Sequence, residues 1–165
     1  MKNVRKVLVA LAFSEYARST FEFAADFANC SGAELIVANV INARDVESVR
    51  TISAMGYDVD GEHYVKSLKA EREQILESIT SRSDFPSERL RAIFPVGNPL
   101  DELLRLIVEE AVDVVVMGSK GRTDLEHVLV GSVAEKVFRR SPATVISHRD
   151  ETIAKRLRKR LDQFS

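Results

Sequence analysis

A glycine-rich segment in the C-terminal half of the chain carries residue types that bind anions. It contains three glycines, a serine and two basic side chains: Gly118, Lys120, Gly121, Arg122, Gly131 and Ser132. Glycines allow backbone N–H groups to approach an anion without interference from a Cβ atom. Gly131 and Ser132 stand where a helix is predicted to begin, which adds unpaired N–H groups, a positive dipole end and a hydroxyl. The pattern indicates a phosphate cradle.

The same residues also have a purely structural interpretation, because glycines after strands and serines at helix starts are common in proteins. The segment is not the Gly-x4-Gly-Lys-Ser/Thr loop, and no Gly-x-Gly-x-x-Gly follows the first apolar run. No general base can be named. The histidines His63, His127 and His148 lack the spacing of metal ligands. We therefore expect a binding protein rather than an enzyme, and no metal site built from protein side chains.

Short apolar runs predict the strands that position this segment. They lie at residues 6–12, 35–41, 90–94, 113–118 and 143–147. The first run is almost continuously apolar, as expected for a parallel strand that is covered on both faces. Helical periodicities separate the runs, and this alternation predicts an α/β fold with an open parallel five-stranded sheet and helices on both faces.

Helix boundaries are marked by capping residues. The predicted caps are Ser14, Asn98 and Asp150 at N-termini, Gly32 at a C-terminus, and a capping box formed by Ser132 and Glu135. The segment 42–61 lacks helical periodicity and predicts a long loop with at most one helical turn. The segment 152–164 predicts an amphipathic helix with a crowded basic face.

Composition excludes several classes of protein. The chain has 165 residues, enough for one domain, and its 24 basic and 25 acidic residues nearly cancel, so no global charge favours nucleic acid or a membrane surface. No apolar run approaches the roughly 20 residues that span a bilayer. The single cysteine, Cys30, excludes an internal disulfide, and we expect it to be partly buried at a helix end. The expected location is the cytoplasm.

Over residues 4–148 the chain resembles the universal stress protein family. The spacing Gly118-x2-Gly121-x9-Gly131-Ser132 matches the nucleotide-binding signature of the family, and the flanking residues match in order and spacing. The resemblance implies strand order 3-2-1-4-5, an adenine-nucleotide pocket where strands one and four diverge, homodimers, and a role in stress survival or signalling. It divides the chain into a domain at 1–149 and a C-terminal extension at 150–165.

The resemblance also implies the residues of the pocket. Gly118, Gly121, Gly131 and Ser132 hold phosphates, together with Ser119 and Arg122 of the same segment, and Val133 flanks them. Val40 meets adenine through its backbone, and the pocket lining comprises Ala10, Phe13 and Met117. One position departs from the family pattern. Nucleotide-binding members usually carry an aspartate where this chain has Ala12, which compromises the nucleoside half of the site.

Two functions follow from this mixture of features. The intact glycine segment favours a sensor or regulator that binds ATP or another adenine nucleotide, with Mg²⁺ accompanying the phosphates and at most slow ATP hydrolysis. Ala12 favours a stress-response interaction module that binds no nucleotide. In both cases we expect a homodimer through strand 143–148. The basic C-terminal helix is expected to pack on its own domain or the dimer partner. The alternative is that it docks to an acidic protein partner, a nucleic acid or a lipid surface, and the lack of interleaved aromatic residues disfavours nucleic acid.

Overall fold

Strands of a parallel sheet alternate along the chain with helices, as the apolar pattern predicts. The structure is a computed structural model that describes residues 3–57, 60–119 and 131–162. Its strands are β1 (Lys6–Ala10), β2 (Glu34–Ala38), β3 (Ile41–Asn42), β4 (Leu90–Ile93), β5 (Val96–Gly97), β6 (Val114–Gly118) and β7 (Thr144–His148). Its helices are α1 (Ala17–Ser31), α2 (Ala43–Ala54), α3 (Gly61–Thr80), α4 (Pro99–Glu109), α5 (Ser132–Arg140) and α6 (Glu151–Leu161).

The central sheet has five parallel strands in the order β4-β2-β1-β6-β7. Counting only these five strands along the chain, this order is 3-2-1-4-5, so the predicted fold is confirmed. The two-residue strands β3 and β5 pair with each other, Ile41 opposite Val96 and Asn42 opposite Gly97. This small pair continues the chain beyond the carboxyl ends of β2 and β4.

Successive residues of β1 face opposite sides of the sheet and enter two separate cores. Val7 and Val9 pack on the side of α1 and α3, whereas Leu8 packs on the side of α4 and α5. All three side chains are fully buried. Because full burial of a Val or Leu side chain stabilises a fold by about 1.5–3 kcal/mol, both layers of helices are fixed strongly against the central strand.

Most predicted helix ends are confirmed. Asn98 Oδ1 accepts hydrogen bonds from the backbone N–H groups of Leu100 and Asp101 at the start of α4. Asp150 caps α6 in the same way, and Gly32 ends α1 with a φ of 68° in the left-handed region that favours glycine.

Two predicted N-caps differ in the structure. Helix α1 begins at Ala17, after a turn in which Ser14 Oγ accepts from Tyr16 N–H, and α5 has Gly131 rather than Ser132 at the N-cap position. Cys30 is exposed, contrary to the expected partial burial.

The loop predicted at 42–61 is wrong, because residues 43–54 form α2. Val46 is the only residue of α2 that is buried, so the helix lacks the apolar stripe on which periodicity depends. Asn42 Oδ1 caps the start of α2 by accepting from Arg44 N–H, and α2 packs against α3. Asp60, taken as a loop residue, caps α3.

None of the helices in residues 3–57, 60–119 and 131–162 combines the length and the apolar character that a membrane crossing needs.

Asn39 ties the ends of several elements together directly after β2. Its backbone N–H donates to Ile93 O, and its side-chain Nδ2 donates to Leu11 O at 2.6 Å. Its Oδ1 accepts from Nη1 of Arg72 on α3. Asn39 is only 3% exposed, so water does not replace these bonds when they are broken.

We expect Asn39→Ala to destabilise the fold by about 1–3 kcal/mol, because the substitution leaves buried hydrogen-bonding groups without a partner. The matched control is Asn29→Ala, which removes an exposed hydrogen bond from Arg89 and should cost less than about 0.5 kcal/mol. Urea unfolding measures both. Equal free energies of unfolding for the two variants would show that the Asn39 side chain does not stabilise the strand ends.

Candidate functional site

A cleft of about 520 Å³ opens at the carboxyl ends of β1, β2 and β6. Ligands of open parallel sheets bind at this edge, where the connections leave for opposite faces of the sheet. Here α1 and α3 cover one face, and α4 and α5 cover the other. The cleft lies between these two layers.

Eight of the predicted site residues line this cleft. They are Ala10, Ala12, Val40, Met117, Gly118, Gly131, Ser132 and Val133. Gly121 and Arg122 lie outside the described residues. Phe13 and Ser119 are described but are not among the lining residues. The structure therefore brings together the two separate stretches that the sequence analysis assigned to phosphate and adenine.

The chain turns sharply at Phe13, which explains why its side chain leaves the cleft. Phe13 has a φ of 48°, a left-handed conformation that is uncommon for a non-glycine residue. Its half-buried ring packs against the core on the α1 and α3 face of the sheet. Ala12, one residue earlier, remains exposed at the cleft. Phe13 thus contributes to the core, and its predicted role in the pocket stays a prediction.

Ser119 and Gly131 join the two ends of the segment 120–130. Ser119 is 1% exposed, and its backbone N–H donates to His148 O at 3.0 Å. Gly131 N–H donates to Ser119 O at 2.9 Å. The Gly131 N–H is consequently engaged within the protein, and the phosphate-binding role predicted for Gly131, which lines the cleft, stays a prediction.

The start of α5 supplies the donors. Ser132, Val133 and Ala134 are the first three residues of α5, and all three line the cleft. The first N–H groups of a helix have no partner within the helix, and in the described residues no side chain caps α5. Together with the positive end of the helix dipole and the exposed Ser132 hydroxyl, they form an anion-binding surface.

At the end of β2, the backbone of Val40 is available to a ligand. The N–H groups of its neighbours Asn39 and Ile41 donate to Ile93 O and Pro95 O. Among the described residues, neither the N–H nor the C=O of Val40 takes part in a backbone hydrogen bond. Val40 is half-buried and lines the cleft, so its backbone donor and acceptor are candidates for contact with a ligand.

The sequence analysis missed the polar side chains near Val40. Asn39, Asn42, Asp45 and Arg72 all line the cleft. Asp45 was hidden because α2 was read as a loop, and Arg72 lies on a helix far along the chain. A polar residue such as Asn39 directly after a buried strand, followed by a cap at Asn42, is the signal that could have indicated them.

The start of α6 lies close to the start of α1, next to the cleft. Asp150 interacts with the Ser19 side chain, and Ile153 is buried. The pKa of Tyr16, which lines the cleft, is raised mainly by its hydrogen bond with the Glu15 carboxylate, while the charge of Arg156 on α6 opposes this shift.

His148 lies behind Ser119 at the end of β7. Its ring stacks on Phe23 with the ring centroids 4.9 Å apart. Burial lowers the pKa of His148, and the charge of Asp150 acts in the opposite direction. A neutral imidazole therefore packs here at neutral pH, next to the carbonyl that holds Ser119 N–H.

In the part of the chain that the structure describes, no group of three or more His, Cys, Asp or Glu side chains is placed to hold a metal ion.

Comparisons with known proteins all point to one family. The model of the universal stress protein family matches residues 3–147. A universal stress protein of Methanocaldococcus jannaschii is 28% identical over 150 residues, which cover 86% of this chain and 93% of that protein. A universal stress protein of Methanothermobacter thermautotrophicus is 30% identical over 144 residues, covering 86% and 92%.

Solved structures show the same fold. The structure of the Methanocaldococcus jannaschii protein matches with a TM-score of 0.74 at 26% identity, covering 91% of this chain and 99% of that one. A universal stress protein solved in complex with cAMP matches with a TM-score of 0.62 at 23% identity, covering 88% and 97%. Because the family match extends over residues 3–147 and the sheet has the predicted strand order, the chain belongs to the universal stress protein family.

Proposed function

We propose that this protein is a cytoplasmic stress-response regulator that binds ATP or another adenine nucleotide in the cleft between β1, β2 and β6. The observation that carries the proposal is the presence of two complementary sets of backbone groups on one cleft. The start of α5 offers N–H donors for phosphates, and Val40 offers a donor and an acceptor for a base.

In the proposal, phosphates are bound mainly by backbone N–H groups and the helix dipole, and less by charged side chains. In the described residues no side chain caps the N–H groups of Ser132, Val133 and Ala134, and these groups and the helix dipole attract an anion. The Ser132 hydroxyl adds a further donor. Gly118 ends β6 at the same cleft, where the absence of a Cβ leaves room for phosphate oxygens. In the proposal Gly121 and Arg122 complete the cradle, and Mg²⁺ is carried in by the phosphates.

The base end fits adenine. The adenine edge that carries the N6 amino group and N1 presents one donor and one acceptor side by side, which complements the N–H and C=O of Val40. Ala10 and Met117 supply apolar surface for the ring. The structural relative solved with cAMP binds a molecule of the same class, which supports the choice of adenine nucleotides over other anions.

Ala12 favours a second candidate function. It lines the cleft with a methyl group where nucleotide-binding family members usually have a carboxylate. In the second candidate the cleft holds no nucleotide, and the protein acts by dimerisation and by docking a partner at α6. The two candidates differ in whether ATP binds at all. In neither does the protein use a general base, so we do not propose an enzyme.

A difference between the two edge strands, β4 and β7, supports a dimer through β7. Edge strands invite pairing unless they are protected, commonly by charged side chains. On β4, Arg91 pairs with Glu34 and Glu110. On β7, Thr144 and Ser147 are exposed and neutral, and α6 of the proposed C-terminal extension follows directly. We therefore propose a two-fold dimer built around residues 143–148, with α6 flanking the seam.

The phosphate end can be tested at Ser132. We expect Ser132→Ala to weaken ATP binding by about 1–2 kcal/mol through loss of the hydroxyl donor. Ser132→Pro should weaken ATP binding further, because proline also removes the backbone N–H. The helix should tolerate this change, since proline is favoured at the first position of a helix and Gly131 before it has the extended conformation that proline requires.

Isothermal titration calorimetry with ATP measures these affinities. Ser67→Ala, an exposed serine on α3 that does not line the cleft, is the control and should bind like wild type. Thermal unfolding checks that α5 is intact in Ser132→Pro. Unchanged affinity in both Ser132 variants would disprove the phosphate assignment, and absence of ATP binding by the wild type would favour the second candidate.

The dimer can be tested by placing proline on the two edges. Thr144 N–H donates to Asp113 O, so by the alternation of a strand the Ser147 N–H points away from the sheet. Ser147→Pro should therefore leave the sheet paired but convert the dimer to a monomer. On β4, Ile93 bonds to β2, so the N–H of its neighbour Ala92 points outward, and Ala92→Pro removes it. The Ala92→Pro variant should remain dimeric.

Light scattering at micromolar concentration measures both variants. A monomeric wild type, or a Ser147→Pro variant that stays dimeric, would contradict the proposed interface.

A further inference from the structure

Asp45 is the only carboxylate among the described residues that line the cleft. It lies in the first turn of α2, the helix that the sequence pattern failed to predict. The chain is directed there by the pairing of Ile41 with Val96 and of Asn42 with Gly97, which extends it past the end of β2. The start of α2 is therefore held at the cleft by backbone pairing and is not a free surface loop.

The structure does not use the Asp45 side chain. Asn42, not Asp45, caps α2 by accepting from Arg44 N–H. Across residues 3–57, 60–119 and 131–162, the Asp45 carboxylate makes no hydrogen bond and no ion pair. Arg72, the one cationic residue that lines the described part of the cleft, donates to Asn39. The carboxylate of Asp45 is thus available to a ligand.

Its position favours hydroxyl groups over phosphates. Asp45 follows Val40 by five residues, and both line the cleft on the segment that follows β2, whereas the proposed phosphate donors belong to α5. A carboxylate beside a phosphate would repel it, but a carboxylate beside a nucleoside can accept hydrogen bonds from two neighbouring hydroxyls. The ribose 2′- and 3′-hydroxyls form such a pair. Carboxylates recognise ribose in this way in dinucleotide-binding folds.

We propose that Asp45 recognises the ribose of the bound nucleotide and selects ribonucleotides against nucleotides that lack the 2′- and 3′-hydroxyls. The carboxylate supplied by α2 takes over the polar contact that Ala12 cannot make from the end of β1. This inference rests on the proposed function, because it presumes a nucleotide whose base lies at Val40.

The test compares ATP with 2′,3′-dideoxy-ATP by calorimetry. We expect the wild type to prefer ATP by about tenfold, the effect of charge-assisted hydrogen bonds weakened by exposure. Asp45→Asn and Asp45→Ala should reduce this preference to less than about threefold by weakening ATP binding, while leaving dideoxy-ATP affinity unchanged or higher. Glu47→Gln, an exposed residue of α2 outside the cleft, removes the same charge from the same helix and should keep the tenfold preference.

The outcomes separate this inference from the function on which it rests. A wild type that binds neither nucleotide overturns both. A wild type that binds both nucleotides equally, or Asp45 variants that retain the tenfold preference, overturns the role of Asp45 alone. Asp45 is exposed and makes no hydrogen bond or ion pair with the described residues, so both variants should unfold at nearly the wild-type temperature. A loss confined to ATP affinity cannot then be attributed to misfolding.

Discussion

The position of β1 in the middle of the sheet is the constraint on which the site depends. With β2 on one side and β6 on the other, the helix that follows β1 covers one face, and the helix that follows β6 covers the other. The two connections must part at the carboxyl ends of these strands, and a cleft opens where they part. The apolar cores on both faces bury the side chains of β1 and fix its place between β2 and β6.

The cleft is lined in part by backbone N–H and C=O groups that have no partner among the described residues. Within the described residues, the N–H and C=O of Val40 have no backbone partner, while the N–H groups of Asn39 and Ile41 are paired. In the same part of the chain, the first N–H groups of α5 have no partner within the helix and no side-chain cap. Buried or half-buried backbone groups of this kind cost free energy unless a ligand or water satisfies them. The proposed nucleotide contacts at Val40 and α5 use such backbone groups and therefore do not depend on the side chain at position 12.

The five long strands and most helix caps could be predicted from the residues, because buried parallel strands produce apolar runs and caps require particular residue types. The strand order followed from the resemblance to the universal stress protein family. Helix α2 could not, since it buries little beyond Val46 and has no periodic stripe. The turn at Phe13 depends on a left-handed backbone conformation that its residue type does not indicate. The hydrogen bond from Gly131 to Ser119 depends on two loop ends that are distant in sequence. In each case the local structure depends on tertiary contacts that the local sequence pattern does not reveal.

The central claim is that the cleft binds an adenine nucleotide between α5 and Val40, and an NMR titration of the ¹⁵N-labelled protein with ATP tests it most directly. Saturable shifts of the backbone amides of Ser132, Val133 and Val40, with none at the β4 edge around Ala92, are the predicted result. No shifts at millimolar ATP, or shifts that leave the amides of α5 and Val40 unmoved, would contradict it.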